Sequence, residues 1–237
     1  MSERCAVVTG GARNIGLAIA LRLQRDGFRV IVLDLERPAA DSLVADSILV
    51  NLADVEATRA AAMRIVNTYP VRCLVNNVGI VHPSLFDDVL IADFDRLMHV
   101  NVRSALICTQ VLVASMRRLG GGRIVMTTSR VTKGKEARTL YSASKGALEA
   151  MARTWSLELA KDAITVNCIA PGPIGTTAFW DNNNPASPGI QSFLKGIPLG
   201  RLGTPDDVAN AASFFCDDRA SFITGQTLFV CGGVTVG

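Results

Sequence analysis

The stretch CAVVTGGARNIGLAIALRLQRDGFRVIVLD, residues 5–34, decides the fold. CAVVT (5–9) is a short, nearly apolar run that ends in the glycines Gly10 and Gly11. From Ile15 to Asp26 the pattern changes period: Ile15, Ala18, Ile19 and Leu23 recur at helical spacing, and Gly27 stops the helix. RVIVL (29–33) is again apolar almost throughout. A strand exposed on one face alternates apolar and polar residues; one covered on both faces does not, and this is the habit of a parallel sheet.

The same unit repeats along the chain. SILVN (47–51), RCLVN (72–76), RIVMT (123–127), TVNCI (165–169) and QTLFV (226–230) read as further strands. Asp54–Thr68, Asp93–Leu119, Tyr141–Lys161 and Pro205–Phe215 read as helices. Strand and helix in alternation imply right-handed crossovers and an α/β doubly wound sheet. The 237 residues show no repeat and no linker, so a single domain, 1–237, is expected. One stretch, 176–203, is irregular. It carries Asn182, Asn183, Asn184, Pro185, Pro188, Gly189 and Pro198, and with Phe179 and Trp180 is a candidate lid over a substrate.

Composition narrows the function. Apolar residues make up 49% and charged residues 19%, enough for a large core. Net charge is +3, with no basic run dense enough for nucleic acid or a lipid surface, so neither partner is expected. No uninterrupted apolar run approaches the roughly 18 residues that cross a bilayer. The six cysteines form no C-x-x-C pair, so buried free thiols and no metal site are expected. With no basic, apolar leader before CAVVTGG, a cytoplasmic location is expected.

Two constellations point to chemistry. A glycine-rich turn between strand and helix brings backbone N–H groups to a pyrophosphate at the positive end of the helix. Gly10 permits the tight turn and Gly16 the close packing of helix on strand. Asp34, ending the second strand, is placed to accept hydrogen bonds from ribose hydroxyls. In YSASK, Tyr141 and Lys145 stand at i and i+4 near a helix start and share a face. An ammonium beside a phenol favours the phenolate, and a tyrosine so tuned serves as a general acid or base.

These residues make the chain resemble the classical short-chain dehydrogenase/reductase family over essentially its whole length. Thr9-Gly10…Gly16 resembles the cofactor motif, and Asn76-Asn77-Val78-Gly79 the segment after the fourth strand. Asn101 in HVNV, Ser129 closing the fifth strand, and Tyr141 and Lys145 follow in order. Pro171-Gly172-Pro173-Ile174-Gly175-Thr176 resembles the motif after the sixth strand, and Ile223-Thr224-Gly225-Gln226 with Gly232-Gly233 the closing segment.

The resemblance implies a Rossmann-type fold with a seven-stranded parallel sheet in three αβα layers. It implies a catalytic tetrad of Asn101, Ser129, Tyr141 and Lys145. Tyr141 exchanges a proton with the substrate oxygen, and Ser129 hydrogen-bonds that oxygen. Lys145 lowers the pKa of Tyr141 and holds the nicotinamide ribose, and Asn101 positions a water linking Lys145 to solvent. The cofactor is held by Gly10, Arg13, Asn14, Ile15, Gly16, Asp34, Asn51, Leu52, Asn77, Val78 and Gly79, then by Tyr141, Lys145, Pro171, Gly172, Ile174 and Thr176. It is expected to be NAD, with NADP the alternative: Arg13 is of the kind that accompanies NADP, whereas Asp34 repels a 2′-phosphate.

Departures from the family pattern are local. Asn14 stands at the usual middle glycine, Asn51 at a common aspartate that accepts the adenine amino group, and Cys231 at another common aspartate. The loop Arg130–Leu140 is one residue shorter than in many members, and its Arg130 and Arg138 are candidates to bind an anionic or polyhydroxylated substrate. The resemblance also implies a homotetramer, one interface using Asp93–Leu119 and Tyr141–Lys161, the other Pro205–Phe215 and Gln226–Val230. The expected reaction interconverts a secondary alcohol of a small molecule (a sugar, polyol or other hydroxy compound) and its carbonyl. The alternatives are an NADPH-dependent 3-oxoacyl thioester reductase and a non-catalytic dinucleotide-binding regulator.

Overall fold

In β1, Arg4–Thr9, Cys5 and Val7 face one side of a sheet and Ala6 and Val8 the other, and all four are fully buried. That double burial is why the run is apolar at successive positions. The computed structural model describes residues 4–39, 46–181, 184 and 187–236. After β1 come α1 (Asn14–Arg25), β2 (Phe28–Asp34), β3 (Asp46–Leu49), α2 (Val55–Thr68) and β4 (Val71–Asn76). The chain continues through α3 (Ile91–Met98), α4 (Ser104–Arg118), β5 (Gly122–Thr127), α5 (Thr139–Glu158) and β6 (Ile164–Pro171). It ends with α6 (Thr177–Asp181), α7 (Pro188–Lys195), α8 (Pro205–Cys216) and β7 (Thr227–Val230).

The seven strands pair in parallel in the order β3-β2-β1-β4-β5-β6-β7. One face is covered by α2, α4 and α5 through Ile65, Leu112, Met116 and Leu148, and the other by α1 and α8 through Ile19, Leu23, Val208 and Phe215. This is the expected Rossmann-type αβα arrangement. Strand order reverses between β1 and β4, so the carboxyl ends of these two strands open a crevice there.

The elements differ from the sequence reading in three places. The helix read as Asp93–Leu119 starts at Ile91 and is interrupted by a π-helical turn, His99–Arg103, between α3 and α4. By composition this 28-residue run is apolar enough to cross a membrane, but 56% of its most apolar window is buried in the fold, where α4 serves the sheet. The irregular stretch 176–203 holds two helices, α6 and α7; Ser187 caps the second through the Ile190 N–H, with Pro188 at its first turn. Of the residues that marked that stretch, Asn182, Asn183 and Pro185 lie outside the described residues. The strand read as 47–51 ends at Leu49, because Asn51 turns the chain by accepting the Ala53 N–H at 3.0 Å.

Candidate active site

At the crevice β1 runs straight into the glycine turn. Gly10 has φ 64° and Asn14 φ 49°, both left-handed. Asparagine at position 14 therefore adopts the backbone of the glycine it replaces. A Cβ on Gly10 would lie 2.9 Å from the Val78 Cα, and one on Gly16 would overlap the Gly10 carbonyl oxygen. Neither position admits a side chain. The turn is tied to the end of β4: Asn77 and Val78 donate their N–H groups to Thr9 Oγ1 at 3.0 and 3.1 Å, and Asn77 Nδ2 donates to the Gly10 carbonyl at 3.0 Å.

The start of α1 is left open. Asp54, Ser187 and Thr204 cap α2, α7 and α8 with their side chains, but no side chain caps α1 and no acid stands in its first turn. Its first N–H groups and its dipole thus face the crevice, ready for an anion such as a pyrophosphate. Asp34, at the end of β2, points into the same turn. Its Oδ2 accepts the Ala12 N–H at 2.9 Å and its Oδ1 the Leu35 N–H at 2.6 Å. A carboxylate has about four lone-pair sites, so capacity remains for hydroxyls. Arg13 turns away and pairs with Glu36 at 3.3 Å. Asn51, its amide oxygen engaged by Ala53, lies along the same sheet edge, while the Leu52 side chain belongs to the core.

The tetrad residues converge where β4, β5 and β6 end. Ser129 follows β5 and caps a 3-10 turn, Arg130–Lys133, while Tyr141 and Lys145 share one face of α5. The Ser129 hydroxyl is near enough to the Tyr141 hydroxyl to lower its pKa. The Lys145 side chain is 2% exposed, and its Nζ donates to the Thr127 carbonyl at 2.7 Å and lies 5.6 Å from the Tyr141 ring centroid. A Cβ on Gly79 would sit 3.0 Å from that Nζ, so the glycine admits the lysine head. Asn101, in the π-helical turn, accepts the Ile80 N–H at 2.8 Å and donates to the Ile80 carbonyl and Ser144 Oγ, each at 3.0 Å.

One expectation needs correction. The pair was read as an ammonium depressing the phenol pKa. Burial dominates both groups: it pushes Tyr141 up to about 12, against lowering effects of the Ser129 hydroxyl and the Arg138 charge. It holds Lys145 down to about 8. Asn101 commits both amide N–H groups and so fixes the loop beside Gly79, while its Oδ1 keeps one of its two lone pairs.

The remaining site residues lie on β6 and beyond. Pro171 and Gly172 close the strand beside β7, with the Gly172 N–H donating to the Val230 carbonyl at 2.9 Å. A Cβ on Gly172 would meet the Cys231 Cα at 2.5 Å, which gives Cys231 a packing role. Ile174 is buried against the α8 side, and Thr176 Oγ1 accepts the Phe179 N–H at the start of α6. His82 pairs with Asp93 at 3.3 Å.

Ser144, which joins Asn101 to the Tyr141 carbonyl, carried no signal in the sequence. Within the cofactor motif, Thr9 clamps two backbone N–H groups and Asn14 Oδ1 accepts the Thr177 hydroxyl at 2.7 Å. The last bond ties the glycine turn to α6.

What this end of the sheet is built to hold is a nicotinamide dinucleotide, and the class of protein is an oxidoreductase acting on CH–OH groups. The family model described as enoyl-(acyl carrier protein) reductase matches residues 10–235. A subunit of (2S)-((R)-hydroxy(phenyl)methyl)succinyl-CoA dehydrogenase from Thauera aromatica is 35% identical, the match covering 98% of this chain and 97% of the relative. A 3-oxoacyl-(acyl-carrier-protein) reductase from Thermotoga maritima is 32% identical over 100% of this chain and 99% of its own. Among solved structures, one named as an NAD(P) dependent gluconate 5-dehydrogenase from Beutenbergia cavernae, with bound NADP, superposes with a TM-score of 0.92. It is 30% identical and covers 100% of this chain and 98% of its own. The chain belongs to the classical short-chain dehydrogenase/reductase family.

Proposed function

We propose that the chain is an NAD(H)-dependent dehydrogenase that interconverts a secondary alcohol and its carbonyl. The observation that carries this reading is the convergence of Ser129, Tyr141 and Lys145 beside an uncapped helix whose turn is bonded to Asp34. When bound, the nicotinamide supplies or accepts the hydride. The chain's own groups do the rest. Ser129 donates a hydrogen bond to the substrate oxygen and shares its developing charge. Tyr141, held protonated at neutral pH, gives its O–H proton to that oxygen in reduction; in oxidation its phenolate takes the alcohol proton. Lys145 lies between this phenol and the ribose side of the site, and Gly79 leaves it room. The uncapped N–H groups of α1 hold the pyrophosphate, and Asp34 the adenosine ribose hydroxyls.

Asp34 favours NAD because a 2′-phosphate would face a partly desolvated carboxylate. Arg13, paired with Glu36, does not offset it. A 3-oxoacyl reductase using NADPH is the second reading, supported by the Thermotoga relative. The functional unit is a homotetramer through the helix pairs and last strand.

A panel of secondary alcohols, ketoses and 3-oxoacyl thioesters, assayed by reduced-nicotinamide absorbance with NAD(H) and NADP(H), tests the reading. Tyr141→Phe removes only the hydroxyl and should lower turnover about 10²–10⁴-fold. In the oxidation direction the wild-type rate should rise with pH, because only the phenolate accepts the proton. A folded Tyr141→Phe variant with wild-type turnover would remove Tyr141 from the mechanism.

A further inference from the structure

The segment joining Ser129 to Tyr141, RVTKGKEAR at 130–138, carries four cations and one carboxylate, Glu136. Elsewhere arginines sit on carboxylates, as Arg29 does on Asp46 at 2.8 Å and Arg201 on Asp207 at 2.7 Å. Among the described residues, Arg130, Lys133, Lys135 and Arg138 form no ion pair. Instead three of them crowd together. The Arg130 guanidinium carbon lies 6.0 Å, and the Lys135 Nζ 5.8 Å, from the centroid of one ring, Phe193 of α7. Arg138 donates to the Ala137 carbonyl at 2.9 Å and is near enough to Lys135 and Tyr141 for its charge to act on both. Lys133 stands apart, over Phe229. The nearby Glu149 accepts the Thr132 hydroxyl.

Three like charges gathered without a counterion repel one another, and an anion among them relieves that repulsion. The cluster begins one residue after Ser129 and ends three before Tyr141, and the Arg138 charge reaches the Tyr141 phenol, so such an anion lies on the tyrosine's side of the site. It is also remote from Asp34 and the adenosine end, which separates it from the cofactor phosphates. We infer that Arg130, Lys135 and Arg138 form an anion subsite that takes a carboxylate or phosphate carried by the substrate, with Phe193 of α7 holding two of the cations in place. The inference rests on the dehydrogenase reading of the tetrad and names its substrate class.

The test uses matched carbonyl pairs with the loaded enzyme: 5-ketogluconate against its uncharged counterpart L-sorbose, and acetoacetyl-CoA against acetoacetyl-N-acetylcysteamine. In whichever pair turns over, the charged member should have kcat/KM about tenfold higher or more, the usual return from a charge-assisted contact. That ratio should fall toward one in Arg138→Gln and Lys135→Gln, and in about 0.5 M salt. The first pair responding assigns a small carboxylate and the second the phosphates of a carrier. Lys135 is exposed, so its variant keeps the test open should Arg138→Gln unfold. Calorimetric binding of gluconate against sorbitol, and of CoA against pantetheine, reads the subsite without turnover. Anion binding that weakens in the variants, with no substrate turned over, would uphold the subsite and count against the dehydrogenase reading. Equal ratios and equal binding for charged and neutral partners would overturn the subsite, whatever the enzyme's activity on neutral alcohols.

Discussion

Lys145→Met should stabilise the cofactor-free protein while abolishing its turnover. The lysine is almost wholly buried, and the hydrogen bond of its Nζ goes to a carbonyl, that of Thr127. Burial holds its pKa at about 8 against an ordinary 10.5. Each tenfold change in a proton equilibrium is worth about 1.4 kcal/mol, so the buried charge costs the fold about 3 kcal/mol at pH 7. Methionine is flexible and apolar and fills a similar length. It removes that cost and gives up one hydrogen bond, worth about 1 kcal/mol. The net gain is about 2 kcal/mol, or roughly 4–8 °C in Tm for a chain of this size. The pH dependence carries a sign. The unfolded lysine keeps its proton up to its ordinary pKa, and the folded one loses it near 8. Between these values the unfolded chain binds more protons, so wild-type stability rises with pH relative to the variant and the difference closes at about pH 10. Tyr141 titrates in both proteins and cancels to first order. Urea denaturation of the two cofactor-free proteins at pH 7 and about pH 10 reads this directly. A variant less stable than wild type at pH 7, or a difference indifferent to pH, would refute the reasoning.

Asp34→Ala removes the ribose acceptor and the bond to the Ala12 N–H. It should cut the ratio of kcat/KM for NADH over NADPH by about tenfold or more, and a wild type that already prefers NADPH would show that the carboxylate was weighed wrongly. Asn14→Ala places alanine at φ 49° and should cost about 1–2 kcal/mol in urea titrations, whereas Asn14→Gly should lose much less. Equal losses would locate the effect in the Thr177 bond instead of in the backbone. Light scattering at micromolar concentration should give the mass of four chains, and a monomeric mass would remove the tetramer.

The order of elements, the parallel sheet and most of the site were legible in the residues, because each rests on a local signal. Runs such as CAVVT are apolar on both faces only if both faces are covered. A glycine that must accept a left-handed φ or a close backbone, as Gly10 and Gly16 do, is visible as a glycine. The i, i+4 spacing of Tyr141 and Lys145 needs only a helix to bring them to one side. Properties that depend on what lies across space were not legible. The pKa values of Tyr141 and Lys145 follow from burial under neighbouring elements, which reversed the expectation for the tyrosine. The partner of Arg13 proved to be Glu36, and the amide N–H groups of Asn101 proved to be bonded to Ile80 and Ser144. Two cations of one loop, Arg130 and Lys135, meet at Phe193 only because α7 folds back over it, in a stretch whose prolines and asparagines read as irregular chain. Periodicity and turn chemistry are written along the chain; desolvation, charge pairing and the crowding of like charges are set by distances that only the folded chain defines.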